Sequence, residues 1–223
     1  MAKSGSSKRW LQRHVSDPYV RGARQAGYRS RAAYKLLEID ARDRLLAPGQ
    51  IVVDLGAAPG SWSQVIASRV RPGGRVIAVD LLDLEPIPGV EFVRGDFRQA
   101  DILARIDRIL QPGKADLVVS DLAPNLTGVA ASDQSRSLEL CELVLEFARS
   151  RLKPRAALLV KVFQGAGFAE FLAEMRRAFE SVVSRKPKAS RGGSAEMYLL
   201  GKGLKSRIQD PESFFPSPGE RLD

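Results

Sequence analysis

The chain has 223 residues, 44% of them hydrophobic, and a formal net charge of +9. That length suits one domain with short extensions and a sound core. It holds no apolar run of membrane-spanning length, and its single cysteine and single histidine exclude a disulfide framework and the usual zinc clusters.

The chain opens on a basic arm, residues 1–29. The start MAKSGSSKRWLQRH is basic but lacks an apolar h-region, so it does not read as a signal peptide, and a reducing cytoplasm is expected. Residues 1–9 are polar, and Trp10 to Gly27 reads as a partly ordered segment. Residues 1–35 carry nine Lys and Arg against Asp17 alone, and residues 185–207 carry seven against Glu196. The rest of the chain is therefore net acidic. Basic ends are often only solvated ends. Here Trp10, Tyr19, Tyr28 and Tyr34 lie among the charges as rings able to stack on bases, which favours a nucleic-acid footprint.

A domain over residues 30–201 follows. Ser30 can cap a helix to about Leu45, with Ala33, Leu36 and Leu37 turned inward and Arg31 and Lys35 one turn apart. The chain is then organised around IVVDLGAAPGSWSQ, residues 51–64. A β-branched run reaches Asp54, a turn without bulk follows, and a helix begins at Ser61 with Trp62, Val65, Ile66 and Val70 on one face. Such a backbone can lie directly against a ligand. The nicotinamide fingerprint G-x-G-x-x-G is absent.

Arg75 to Asp80 is a second buried strand, ending in an acid placed to accept hydrogen bonds from both hydroxyls of a ribose. Val90 to Arg94 is a third, with Asp96 after it in position to meet an adenine edge. A helix containing Ile102, Leu103, Ile106, Ile109 and Leu110 stops at Gln111-Pro112-Gly113. Ala115 to Leu122 is the fourth strand and carries Asp121 at its end. A long helix runs from about Ser132 to Leu152 with a regular apolar stripe. Ala156 to Phe163 is the fifth strand, with Lys161 near its end, and a helix opens after Gly165 and Gly167. Strand candidates Ser181 to Arg185 and Glu196 to Leu200 flank a basic loop. Residues 202–223 form a polar tail.

Alternating strands and helices give an α/β doubly wound sheet, mostly parallel with an antiparallel last strand. Ligands in such sheets sit at the carboxyl ends of the strands, where Gly60, Asp80, Asp96, Asp121 and Lys161 all fall. A lysine in an apolar strand must be partnered or functional, unless it snorkels out at the strand end.

D-L-G-x-x-P-G resembles motif I of class I methyltransferases that use S-adenosylmethionine. Six stretches in order, RWLQRHVSDPYV, GYRSRAAYKL, VVDLGAAPGSWSQ, SDLAPN, LVKVFQG and KPKASRGGSAEMYLL, resemble the FtsJ-type ribosomal RNA 2′-O-methyltransferases over residues 8–200. The resemblance implies a Rossmann-like fold, S-adenosylmethionine without a metal, and a monomer acting on a uridine of large-subunit ribosomal RNA, without a membrane. It implies a catalytic tetrad of Lys35, Asp121, Lys161 and Glu196, with Lys161 the proton acceptor. It also implies cofactor contacts from Gly60, Trp62, Asp80, Asp96 and Asp121. Two departures are Ser61, where relatives often have Gly, and the uncharged Gly192-Gly193. For RNA phosphates the candidates are Arg29, Arg31 and Arg191.

A ribose 2′-hydroxyl is a weak nucleophile, so transfer needs in-line placement and a group to take the proton. Lys35 opposes a proton on Lys161, whereas Asp121 and Glu196 favour one. Lys161 therefore acts either as a neutral base or as a cation that orients the hydroxyl and stabilises the oxyanion. Rival chemistries fit less well. Asp121-Leu122-Ala123-Pro124-Asn125 offers no ring for a flipped base, and Cys141 lies on a helix core stripe where a thiol is structural. His14 reads as a surface or RNA-contacting residue. A binding factor without catalysis is the other class, and all four tetrad residue types argue against it.

Overall fold

The computed structural model describes residues 17–124, 130–190 and 194–206. Trp10, His14, Asn125, Arg191, Gly192, Gly193 and most of the tail lie outside them. Helix α1 spans Pro18–Gln25 and α2 spans Ala32–Asp43. Then β1 (Ile51–Leu55), α3 (Ser61–Arg69), β2 (Arg75–Asp80), β3 (Val90–Arg94), α4 (Ala100–Leu110) and β4 (Ala115–Ser120) alternate. Next come α5 (Ala130–Arg151), β5 (Leu152–Phe163), α6 (Phe168–Ala178), β6 (Phe179–Arg185) and β7 (Glu196–Leu204).

The strands form one seven-stranded sheet in the order β3-β2-β1-β4-β5-β7-β6. The first five are parallel to their neighbours. The last strand β7 inserts between β5 and β6 and is antiparallel to both. This is the expected mixed α/β sheet with its reversed last strand.

Side chains alternate across each strand, which divides the core into two layers. Val52, Val76, Leu117, Val119, Leu159, Tyr198 and Leu200 pack with Leu36 and Ile39 of α2 and Trp62, Val65 and Ile66 of α3. Val53, Leu55, Val118, Leu158, Val160 and Leu199 pack on the other face against α4, α5 and α6 through Ile106, Cys141, Val144, Leu145, Phe171 and Met175. Strands apolar on both faces follow from helices covering both faces.

Several boundaries depart from the sequence reading. The basic arm contains a helix. Asp17 caps α1, its side chain accepting from Tyr19 N at 2.9 Å, and Pro18 occupies the first turn, where a missing N–H costs nothing. Tyr34 meets Tyr19 and Tyr28 at ring-centroid distances of 5.6 and 6.1 Å. These rings fasten α1 to α2, so their faces are partly taken up by one another. Strand β5 begins at Leu152, four residues before the expected Ala156. Ala115 pairs with Leu152 and Leu117 with Ala157, so the intervening residues bulge. Pro154, without an N–H, and Arg155 at φ 64° sit in that bulge. At the other end β7 continues to Leu204, past the expected Leu200, because Phe179 of β6 pairs with Leu204.

Candidate active site

The turn after β1 is built from glycines that must be glycines. Gly56 lies at φ 81°, and a Cβ there would sit 2.5 Å from Leu122 Cδ2. Gly60 lies at φ 105°, and a Cβ would sit 2.7 Å from Arg29 Nη1 and 2.8 Å from Leu84 and Ile87. Both are left-handed conformations that disfavour a side chain. Gly60 opens α3, and helix geometry leaves the N–H groups of Ser61, Trp62 and Ser63 without intrahelical acceptors. Ser61 shares a 2.7 Å hydrogen bond with Ser30, just before α2. Ser30 also accepts from Ala32 N at 3.2 Å, but the helix starts at Ala32 and its N-cap is Arg31, not the expected Ser30.

Asp80 ends β2 beside this turn. Its Oδ2 accepts from Ala58 N at 2.9 Å and its Oδ1 from Leu82 N at 2.8 Å. One bond on each oxygen leaves lone pairs on both, a pair of acceptors that fits the two hydroxyls of a ribose. Asp96 lies beyond β3 and is held by Arg98, whose Nε reaches both oxygens at 2.9 Å. Those hydrogen bonds hold the Asp96 carboxyl below the usual carboxylate range despite its partial burial.

The Trp62 indole is 2% exposed, donates to Ala32 O at 2.8 Å and packs on Tyr198 at 5.6 Å. The ring belongs to the core.

Asp54, in β1, is fully buried. Its Oδ2 accepts from Ser63 at 2.6 Å, and Oδ1 has no partner. Burial pushes its pKa up to about 7, against the pull of Ser63 and with the charges of Asp121 and Asp80 adding to the rise. The ends of β1, β2 and β4 thus share one electrostatic neighbourhood.

Two ion pairs stand next to it. Lys35, on α2, reaches Glu196 Oε1 at 2.7 Å. Lys161, on β5, donates to Asp121 O at 2.6 Å and lies 3.3 Å from Asp121 Oδ1. Lys35 and Lys161 are 9% and 7% exposed, so the apolar-strand lysine is partnered. Because β7 is antiparallel, its first residue Glu196 pairs with Phe163 at the end of β5. Reversal of one strand therefore brings Glu196 to the pole where Asp121 and Lys161 lie. Burial raises Glu196, but the hydrogen bond and charge of Lys35 outweigh it, helped by Ser190 and by the charge of Lys161, and the net shift is downward. Lys35 and Glu196 line a pocket of about 280 Å³ with Ser30, Arg31, Ala32 and Ser194.

Three residues that the sequence reading passed over support these groups. Tyr198 donates to Asp121 Oδ1 at 2.6 Å, Ser190 to Glu196 Oε1 at 2.9 Å, and Arg98 clamps Asp96. The signal for Tyr198 was available: it stands two residues after Glu196 in a strand, hence on the same face.

The basic candidates differ among themselves. Arg29 donates to Pro59 O at 2.9 Å and Pro86 O at 3.1 Å, fastening the glycine turn to the segment after β2. Both acceptors are neutral carbonyls and leave its charge in place. Arg31 pairs with Asp17, donates to Ala189 O and lies over the Tyr19 ring. Arg191 is outside the described residues. Cys141 is buried, donates to Lys161 O at 3.2 Å, and burial pushes its pKa up to about 12. It is not a thiolate nucleophile.

The geometry combines a glycine turn with a buried cluster of two lysines and two acids at the same pole. Comparison with known proteins agrees in kind. A ribosomal RNA large subunit methyltransferase E from Thiobacillus denitrificans is 59% identical over 200 residues, covering 90% of this chain and 90% of that protein. The protein of the same name from Chromobacterium violaceum is 56% identical over 203 residues, covering 91% and 99%. A solved ribosomal RNA methyltransferase from Plasmodium falciparum aligns with a TM-score of 0.74 and 32% identity, over 81% of this chain and 100% of that one. The FtsJ-like methyltransferase family itself matches residues 28–204, and this chain belongs to it.

Proposed function

We propose that the chain methylates the ribose 2′-hydroxyl of a uridine in large-subunit ribosomal RNA, taking the methyl group from S-adenosylmethionine. The observation that supports this reading best is the meeting of the Lys35–Glu196 and Lys161–Asp121 pairs beside the glycine turn. The names of the relatives supply the substrate class.

When bound, S-adenosylmethionine supplies an electrophilic methyl carbon. Gly60 would let the turn approach it, Asp80 would accept hydrogen bonds from its ribose, and Asp96 would hold its adenine. Asp121 and the Trp62 backbone N–H would complete the set of residues that hold it. The protein's remaining task is to place and deprotonate a weak nucleophile. Lys161 takes the 2′-hydroxyl proton, and Asp121 fixes the amine through its backbone carbonyl and carboxylate. Lys35 stands where a second cation opposes a proton on Lys161 and stabilises the developing oxyanion. Glu196 holds Lys35 in place. Arg29, Arg31 and Arg191 grip phosphates, so RNA binding weakens steeply with salt. The protein acts as a cytoplasmic monomer.

The test is transfer from labelled S-adenosylmethionine to large subunits that lack the modification, followed by nucleoside analysis. The expected label is in 2′-O-methyluridine, at a linkage resistant to alkaline hydrolysis. Label in a base-methylated nucleoside, or binding without transfer, contradicts the proposal.

A further inference from the structure

Tyr198 stands at the centre of the four charged residues, yet nothing in their pairing requires it. It is 0% exposed. On β7 it lies directly opposite Lys161 of β5 in the antiparallel register, with their side chains on one face of the sheet. Its ring packs on Trp62, and Lys35 Nζ lies 5.8 Å from the ring centroid. A phenylalanine would make all of those ring contacts. Only the hydroxyl distinguishes tyrosine, and it donates to Asp121 Oδ1 at 2.6 Å.

That oxygen is the one Lys161 approaches. The Lys161 amine stays 3.3 Å from Oδ1 and makes its short contact, 2.6 Å, with the neutral backbone carbonyl of Asp121. A charge-assisted N–H···O bond closes to about 2.7–2.9 Å when nothing competes. The phenol occupies the near position on the carboxylate, and the lysine is left with the longer one.

We infer that Tyr198 is a positioning residue: by holding Asp121 Oδ1 it keeps Lys161 from a tight ion pair and so eases the loss of the lysine's proton. This rests on the reading of Lys161 as proton acceptor. Other groups act on the same amine. Lys35 of α2 opposes its proton, while Asp121 after β4 and Glu196 of β7 favour it. Asp54 of β1 feels the charge of Asp121, and Cys141 of α5 touches the Lys161 carbonyl. The phenol remains a donor because burial first, and then the charges of Asp121 and Glu196, hold its own proton well above the ordinary tyrosine range.

The experiment is a pH series of single-turnover methylation with wild type, Lys161→Ala and Tyr198→Phe on unmodified large subunits. With the hydroxyl gone, Asp121 pairs fully with Lys161, and the basic limb moves up by about one pH unit. At a fixed pH below that limb the rate falls roughly tenfold, while the plateau at high pH stays within about twofold of wild type. A purely structural role would instead lower the plateau and leave the limb where it was. Placing a fluorinated tyrosine at position 198 alone keeps the shape and strengthens the donor, so the limb moves down. That arm decides the matter if Tyr198→Phe does not fold. A Lys161-dependent limb that neither change moves overturns this inference alone. A wild-type profile with no Lys161-dependent limb overturns the Lys161 reading and this one with it.

Discussion

Two parts of the sheet contribute to the site by different routes. In the parallel half, β1 passes through Gly56 to Gly60 into α3 within one short stretch, and Asp80 meets Ala58 N at the next strand end. In the antiparallel half, Lys161, Glu196 and Tyr198 come from strands joined by a helix, a further strand and a basic loop. Only the pairing of β7 with β5 brings them opposite one another. The first region is a local motif, the proposed seat of a nucleoside-type ligand. The second is a charge cluster whose geometry depends on register, and a one-residue slip would turn Glu196 and Tyr198 to the other face of the sheet. On the proposed function, binding depends on a turn, and catalysis on long-range pairing.

This division can be broken experimentally. The largest effect belongs to the antiparallel half. Lys161→Ala should lower the single-turnover rate about 10³-fold, near 4 kcal/mol of barrier, with cofactor affinity changed by less than about threefold. Equilibrium binding beside the rate measurement checks it. Equal losses in both would show that the two regions are not separable.

The next effect lies in the parallel half and concerns stability. The folded Asp54 carboxyl keeps its proton up to about pH 7, whereas an unfolded aspartate releases it near 4. Folding therefore takes up a proton between those values. Stability falls as pH rises through that window, by up to about 4 kcal/mol, and is flat above it. Asp54→Asn should flatten this dependence and be more stable than wild type at pH 8, read from denaturant midpoints at pH 5 and 8. An unchanged slope would mean that another group takes up the proton.

Glu196→Gln removes the carboxylate that Lys35 meets at 2.7 Å. A largely buried cation left without its partner costs about 3 kcal/mol, and the rate should fall roughly tenfold. The complementary variant Lys35→Met with Glu196→Gln should recover part of the stability but not the rate. Recovery of both would remove Lys35 from the mechanism.

The smallest effect should come from Arg29→Ala. Loss of the bonds to Pro59 and Pro86 should weaken cofactor binding by about three- to tenfold, near 1 kcal/mol. If Arg29 also meets a phosphate, the salt dependence of RNA binding should drop by about one unit of slope. A changed cofactor affinity with an unchanged slope would assign Arg29 to the turn alone.

The same contrast explains what the sequence disclosed. Strand, turn and helix over residues 51–64 were legible because alternation, small residues and helical spacing are local signals. Asp80 and Asp121 were legible as acids at strand ends. Pairing of Lys35 with Glu196 came only through resemblance, since no local pattern links residues so distant in the chain. Trp62 shows another limit. Helical spacing put its ring on the apolar face with Val65 and Ile66, but did not give its hydrogen bond to Ala32 O. The early start of β5 was hidden by Pro154, which reads as a break and proves to be a bulge. The hydroxyl of Tyr198 and the clamp of Arg98 on Asp96 depend on which atoms meet across a fold, which spacing does not encode.

Lys161-dependent methylation of a ribose in large-subunit RNA is what the proposal stands on. Its most direct test is a map of ribose methylation in ribosomes from cells lacking the gene and from the same cells supplied with wild type or Lys161→Ala. The account predicts one uridine that loses its 2′-O-methyl group on deletion, regains it with wild type and stays unmodified with the variant. A methylation map unchanged by deletion, or restored by Lys161→Ala at wild-type protein levels, would contradict it.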